Sequence, residues 1–306
     1  MKIKNNDIKI TDIGLLPISI PIRSIGSGTT KIAIVAGIHG EESSSLLIID
    51  RILQTINTKN IGVEINFILA ANLLSQVLRT RENPVDKLDL NRVFPGNDNG
   101  EVTKKIASNL LRFCLTMNLV IDLHTFEGQC PIVGIDMNSG NKNIKQKSLE
   151  LIKLINLDFI WQLNFTKDEA KMSGALGPIL AEKNIPNFAI EMPEHQIITE
   201  NQINHISNGI IKVIKEIKSN KKTITPIAIP VINKINIRSQ ESGIFKSKLS
   251  VMKKVKKDET IGDLISLNTF EKTKIKSPCD GLLIVNKNNH LVFTGEILAS
   301  IGTQAH

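Results

Sequence analysis

Two histidines and two glutamates stand where apolar runs break off: His39 and Glu42 in AIVAGIHGEE, His124 in NLVIDLHT, and Glu191 in NFAIEMP. A catalytic zinc site usually takes three protein ligands and leaves one position for water, and two histidines with one glutamate are a standard set. His39 and Glu42 are three residues apart, so both can face one ion as the chain turns into a helix. Gly40 between them lets the backbone pass close to that ion. His124 supplies a third ligand from a separate segment. Each piece alone says little, since a histidine at a strand end is more often a hydrogen-bonded structural residue. Their combination makes the metal-centred reading the stronger one.

A metal of this kind brings the pKa of a bound water to about 7 and polarises a carbonyl, yet a general base still helps to move the proton. Glu191 suits that task, because an acid directly after an apolar strand is costly unless solvated, paired or functional. Glu41 and Glu194 read as solvated surface acids. Asp122, two residues before His124, shares its strand face; it either orients that imidazole or is simply satisfied at the sheet edge. The polar, proline-broken stretch 78–96, LRTRENPVDKLDLNRVFPG, carries Arg79, Arg81, Asn91 and Arg92. Loops of that length in compact domains are functional or disordered. An arginine beside an asparagine can hold a carboxylate.

Positioning these residues requires strands that end together. KIAIVAGI (31–38) is a β-branched apolar run of the kind covered on both faces, and apolar residues at helical spacing follow over 41–56. The alternation continues with strands at 63–72, 118–125 and 187–193, and with helices at 101–115, 148–157, 176–184 and 200–218. This pattern predicts an α/β fold with a largely parallel sheet flanked by helices. Ligands in such sheets bind beyond the carboxyl ends of the strands, where His39, Asn72, His124 and Glu191 fall. A polar, proline-ended linker at 219–226 divides the chain into residues 1–220 and a small C-terminal β-domain, 221–306, with short glycine-punctuated strands. Gly128, Gly134, Gly174 and Gly177 read as turns, with a mobile lid around KMSGALG as the alternative.

Composition excludes several classes. The chain has 306 residues, 41% apolar and 22% charged, as expected of an ordinary globular protein. It shows no apolar run long enough for a membrane span and no signal-peptide core, which points to the cytoplasm. The three cysteines, Cys114, Cys130 and Cys279, suit neither a disulfide framework nor a metal clip. A formal charge of +8 invites nucleic acid, but the lysines are scattered and lack interleaved aromatics. No nucleic-acid or membrane partner is expected; a homo-oligomer is compatible with the sequence.

GIHGEE, LDLNRVFPG, IDLHT and AIEMPE, in that order, resemble the succinylglutamate desuccinylase and aspartoacylase family, which is similar in fold to zinc carboxypeptidases. The resemblance runs from about residue 10 to about residue 220, with DLNRVFPG its most specific motif. It implies one zinc per chain on His39, Glu42 and His124, with Glu191 as the base. It also implies that Arg81 stabilises the oxyanion, with Arg79 a close competitor, and that Asn91 and Arg92 hold a substrate carboxylate. KSPCDGLLI and FTGEILASIG are similar to biotinyl/lipoyl-like β-modules without the attachment lysine, so a covering or shaping role is expected there rather than a covalent cofactor. The chain has no tyrosine, so no substrate contact made by tyrosine in aspartoacylase carries over. The implied activity is zinc-dependent removal of an acyl group from the nitrogen of a small amino acid or related amine. The alternatives are a zinc carboxypeptidase acting on short peptides and a non-catalytic zinc- or ligand-binding protein.

Overall fold

In the computed structural model, residues 2–57, 62–126, 130–165, 169–194, 197–219, 230–287 and 289–304 are described. In chain order the strands are β1 (Lys4–Asn5), β2 (Ile8–Ile13), β3 (Leu16–Ile20), β4 (Ile22–Gly26), β5 (Thr30–Val35), β6 (Val63–Ile68), β7 (Leu119–Phe126), β8 (Val133–Asp136), β9 (Phe159–Gln162) and β10 (Asn187–Pro193). The C-terminal region adds β11 (Val231–Arg238), β12 (Gly243–Ser247), β13 (Lys254–Val255), β14 (Thr260–Ser266), β15 (Lys272–Lys276), β16 (Gly281–Asn286), β17 (His290–Val292) and β18 (Ile297–Gln304). The α-helices are α1 (Ser44–Thr55), α2 (Leu73–Leu78), α3 (Val102–Cys114), α4 (Lys142–Lys153), α5 (Leu176–Glu182) and α6 (Glu200–Ser219).

One sheet dominates, in the order β1-β4-β6-β5-β7-β10-β8-β9-β11-β18-β16-β13. At its centre β6, β5, β7 and β10 are parallel, and β8 joins β10 antiparallel. Side-chain alternation along β5 explains the continuous apolar run. Ile32 and Ile34 pack on one face with α1, α4 and α6, while Ala33 and Val35 pack on the other with α3 and α5. With both faces covered, the buried positions Ile32 to Val35 must all be apolar. This is the predicted α/β architecture, with a C-terminal antiparallel β region.

That region does not stand apart from the central sheet. β11 pairs parallel to β9, through Val231↔Ile160 and Ile232↔Trp161, and β18, β16 and β13 extend the same sheet beyond it. The remaining strands form a four-stranded antiparallel sheet, β15-β14-β12-β17. The predicted linker, apart from Ser219 at the end of α6, lies outside the described residues.

Several boundaries differ from the expectations. Helix α1 begins at Ser44 rather than at 41, which leaves Glu41 and Glu42 in the preceding turn. Helix α4 begins at Lys142 rather than 148, because the Asn141 side chain caps it by accepting from the Ile144 N–H at 3.1 Å. β8 and β9 have four residues each, too few for alternation to register. Gly134 lies inside β8 and Gly177 inside α5, not in turns, and Gly128 lies outside the described residues. Gly174 closes a 3-10 turn, where a Cβ would sit 2.4 Å from the Arg92 carbonyl oxygen and the Gly174 carbonyl accepts from the Phe94 N–H at 3.0 Å. The KMSGALG segment is therefore clamped to the Arg92 loop.

Gly40 is under a further constraint, from α2. A Cβ there would lie 2.0 Å from the Ser75 carbonyl carbon and oxygen, and the Gly40 N–H donates to the Thr80 carbonyl at 2.9 Å. The glycine thus admits the backbone of α2. Gly40→Ala should destabilise the protein by at least about 2 kcal/mol, since backbone cannot yield as a side chain does. Urea unfolding of the two proteins checks this.

Candidate active site

Strand register brings the predicted residues together. In the β7–β10 pair Glu191 lies opposite His124, and the β5–β7 pair ends at Val35↔Asp122. His39 follows four residues after Val35, so the turn carries it to the level of His124. Asp122 and His124 share one strand face, as their two-residue spacing predicts.

His39, Glu42 and His124 are buried, at 3%, 5% and 4% exposure. The His39 Nδ1 lies 2.6 Å from Glu42 Oε1, and His124 Nδ1 lies 2.9 Å from Glu42 Oε2. The outer nitrogens face carboxylates as well: His39 Nε2 stands 3.2 Å from Asp89 Oδ1 and His124 Nε2 2.9 Å from Asp122 Oδ2. This pattern is a test of metal fit. If each Nε2–H donates to its aspartate, each Nδ1 presents a lone pair to the Glu42 carboxylate, and acceptor faces acceptor at hydrogen-bond distance. Only positive charge between them resolves that, either extra protons or a cation. Metal-ligating histidines characteristically donate their other N–H to a carboxylate. The three ligand atoms lie within 4.8 Å of one another, so the group can hold a metal ion, and it is the one such group among the described residues.

Electrostatics point the same way. Burial opposes charge on both histidines, but Asp89 and Glu42 outweigh it at His39, and Asp122 and Glu42 do so at His124, raising both pKa values. Against its own burial, Glu42 is held down to about 2 by His124 and His39. Asp89 is lowered by His39, Arg81 and Arg92, which outweigh its desolvation.

These groups open onto a cavity of about 380 Å³ also lined by Arg81, Asn91, Arg92 and Glu191. The Arg81 Nε donates to Asp89 Oδ2 at 3.1 Å, so Asp89 ties the guanidinium to His39. Arg79 is exposed, in left-handed backbone (φ 53°) at the end of α2, and Arg81 is the arginine of this pair that lines the cavity. The Asn91 side chain accepts from the Leu176 N–H at 3.0 Å, which docks the loop on α5. Glu191 Oε2 is shut off from solvent and has no hydrogen-bond partner among the described residues. Burial pushes its carboxyl up to about 7. Glu41 is exposed, whereas Glu194 is half-buried and engaged, not the solvated surface acid expected.

Sequence reasoning missed Asp89, although it opens the DLNR motif. It also missed Lys234, Asn236 and Arg238, which reach the cavity from β11. Their signal was present in KINIR, where polar residues alternate with Ile235 and Ile237.

The model of the succinylglutamate desuccinylase/aspartoacylase catalytic domain matches residues 28–217. The chain belongs to this family. The N-alpha-acetyl-L-2,4-diaminobutyric acid deacetylase of Halomonas elongata is 24% identical over 207 residues, which span 66% of this chain and 60% of that enzyme, less than two thirds of its length. Among solved structures of the family, a succinylglutamate desuccinylase/aspartoacylase from Rhodobacter sphaeroides superposes with TM-score 0.83 at 16% identity, covering 99% of this chain and 95% of the other. The product-bound ectoine utilization protein EutE (DoeB) from Ruegeria pomeroyi gives TM-score 0.82 at 18% identity, covering 98% and 94%. At these identities the likeness is one of fold, and it extends through the C-terminal β region.

Asp122→Asn should weaken the affinity of the His39–Glu42–His124 group for an added divalent metal about 10- to 100-fold with the fold retained, as titration calorimetry would measure, because the carboxylate 2.9 Å from His124 Nε2 is lost. Glu191 gives a pH signature in the metal-free protein. Its folded pKa of about 7 exceeds the ordinary 4.5, so the unfolded chain releases this proton first. Stability is therefore lost as pH rises from 4.5 towards 7. Glu191→Gln should then be more stable than the parent at pH 8, by up to about 3 kcal/mol, and no different near pH 4. Melting curves at the two pH values test it.

Proposed function

We propose that this protein is a zinc-dependent deacylase that hydrolyses the amide bond between an acyl group and the nitrogen of a small amino acid or related amine. The observation that carries this reading is the pairing of a carboxylate-anchored His39–Glu42–His124 group with Glu191, its register neighbour, in one cation-lined cavity. Family membership supports it, as does the deacetylase activity named for the Halomonas elongata relative.

One zinc would be held by His39, Glu42 and His124; when bound, it acidifies a water and polarises the acyl carbonyl. Glu191 takes a proton from the attacking water and later gives it to the departing amine. Burial favours this role, because it keeps the carboxylate more basic than an exposed one. Arg81 stabilises the developing oxyanion, and Asp89, which accepts from its Nε, orients the guanidinium. Asn91 and Arg92 hold a substrate carboxylate. The Arg92 guanidinium is partly immobilised, donating to the Asn91 carbonyl at 2.7 Å, so little freedom is lost on binding. The partner is a small acylated amine. No helix among the described residues is long and apolar enough to cross a membrane.

The test is release of free amine by zinc-loaded protein from N-acetyl, N-succinyl and N-formyl amino acids and diamines. Glu191→Gln should lower turnover by at least about 100-fold with zinc stoichiometry unchanged. Arg81→Ala should lower kcat by about 100- to 1000-fold. Cleavage of short peptides alone would move the reading to a carboxypeptidase, and no turnover of any compound by the zinc-loaded protein would overturn it.

A further inference from the structure

Glu191 Oε2 is closed off from solvent and unpartnered among the described residues, although Glu191 as a whole is only half-buried. The residue lines two spaces. One is the cavity of about 380 Å³ described above; the other is a smaller one of about 20 Å³, whose wall includes Lys234, Cys130, Phe126 and Trp161. Lys234 likewise borders both. Its Nζ stands 3.4 Å from the centre of the Trp161 ring and 5.9 Å from that of Phe126, and among the described residues it makes no direct hydrogen bond or ion pair.

Two acids act on the Lys234 ammonium, Glu191 and Glu169. Glu169 is fully engaged: its Oε1 accepts from Trp161 Nε1–H at 3.0 Å and its Oε2 from the Asn164 N–H at 2.8 Å. Glu191 keeps an oxygen uncommitted. Burial works against the charge on Lys234 and brings it down to about 8, with Lys171 and Arg238 adding to that effect, while Glu191 and Glu169 oppose it. In return, Lys234 joins His124 in favouring the Glu191 carboxylate against its own burial and the nearby Glu42. An enclosed ammonium and an enclosed carboxylate oxygen are both costly without hydrogen bonds. A water can supply them where it has roughly 10–15 Å³ and two to four polar partners. The smaller cavity meets both conditions, with Glu191, Lys234 and the Cys130 thiol on its wall.

We propose that Lys234 is a positioning residue for Glu191, acting through one water lodged in the smaller cavity. The ammonium donates to that water, and the water donates to Glu191 Oε2. Held there, the carboxylate presents its other oxygen to the water that attacks the substrate, while the ring of Trp161 keeps the ammonium in place. The part played in turnover rests on the deacylase reading; the Lys234–Glu191 link does not.

The test is a pair of double-substitution cycles on the full chain. In zinc-reconstituted protein Lys234→Met should lower kcat about 10- to 100-fold with KM changed less than about threefold. Lys234→Arg, which keeps the charge and the ring contact, should recover part of the loss. In the Glu191→Gln background Lys234→Met should lower the residual kcat less than about twofold, because the group to be positioned is gone. The link itself is read without turnover, in metal-free protein at pH 8: Lys234→Met should be more unfavourable to the melting midpoint in the parent than in the Glu191→Gln background. A crystal structure should show the water within hydrogen-bond distance of Lys234 Nζ and Glu191 Oε2. Should Lys234→Met fail to fold, Lys234→Gln takes its place in both cycles. A rise in KM with kcat retained overturns the proposal, since it would make Lys234 a residue that holds substrate. Equal kcat losses in the two backgrounds, additive melting shifts or a dry cavity overturn it as well. Coupled melting shifts without turnover of any substrate would uphold the link while the deacylase reading fails.

Discussion

The chain of contacts Asp89–His39–Glu42–His124–Asp122 is the interaction on which the rest of the structure depends. Four of these groups, which each prefer water, are buried, with Asp89 half-buried at the end of the line, and each is tolerable only because its neighbour has the complementary charge or proton. The two outer aspartates turn the imidazoles so that both Nδ1 atoms converge on Glu42. That convergence gives a cation a place, and it leaves a metal-free molecule with proton-rich histidines against a strongly acidic glutamate.

This line constrains the fold around it. His39 must arrive on a turn tight enough to bring its ring over the end of β7, which requires the backbone of α2 to press against Gly40. Asp89 must reach in from the loop after α2, and it does so while holding Arg81 on its other oxygen. The loop is kept in place by Asn91 on α5 and by Phe94 on Gly174. A polar, proline-broken segment is thus built into the wall of the cavity.

The C-terminal region completes that wall because β11 continues the central sheet rather than starting a separate one. Its alternating face, Lys234, Asn236 and Arg238, lines the same cavity as Arg81 and Arg92. Cations therefore line the cavity from both parts of the chain, together with the buried Glu42 and Glu169, the candidate base Glu191 and the exposed Glu296. A cavity of this character favours anionic ligands before any particular substrate is considered.

The sequence alone determined the alternating α/β architecture, since continuous apolar runs and helical spacing are local patterns. It also singled out His39, Glu42 and His124, which the fold brings within reach of one ion, because the three count as a combination with Glu191 rather than one by one. It could not determine that Glu191 sits opposite His124, that Asp89 and Asp122 hold the two imidazoles, or that Gly40 serves α2. Nor could it show that Lys234 rests on Trp161, 73 residues away in the chain. Strand register, loop docking and the joining of β11 to β9 bring together residues distant in sequence. No local periodicity encodes such contacts, which form only when the burial of the whole sheet selects one pairing.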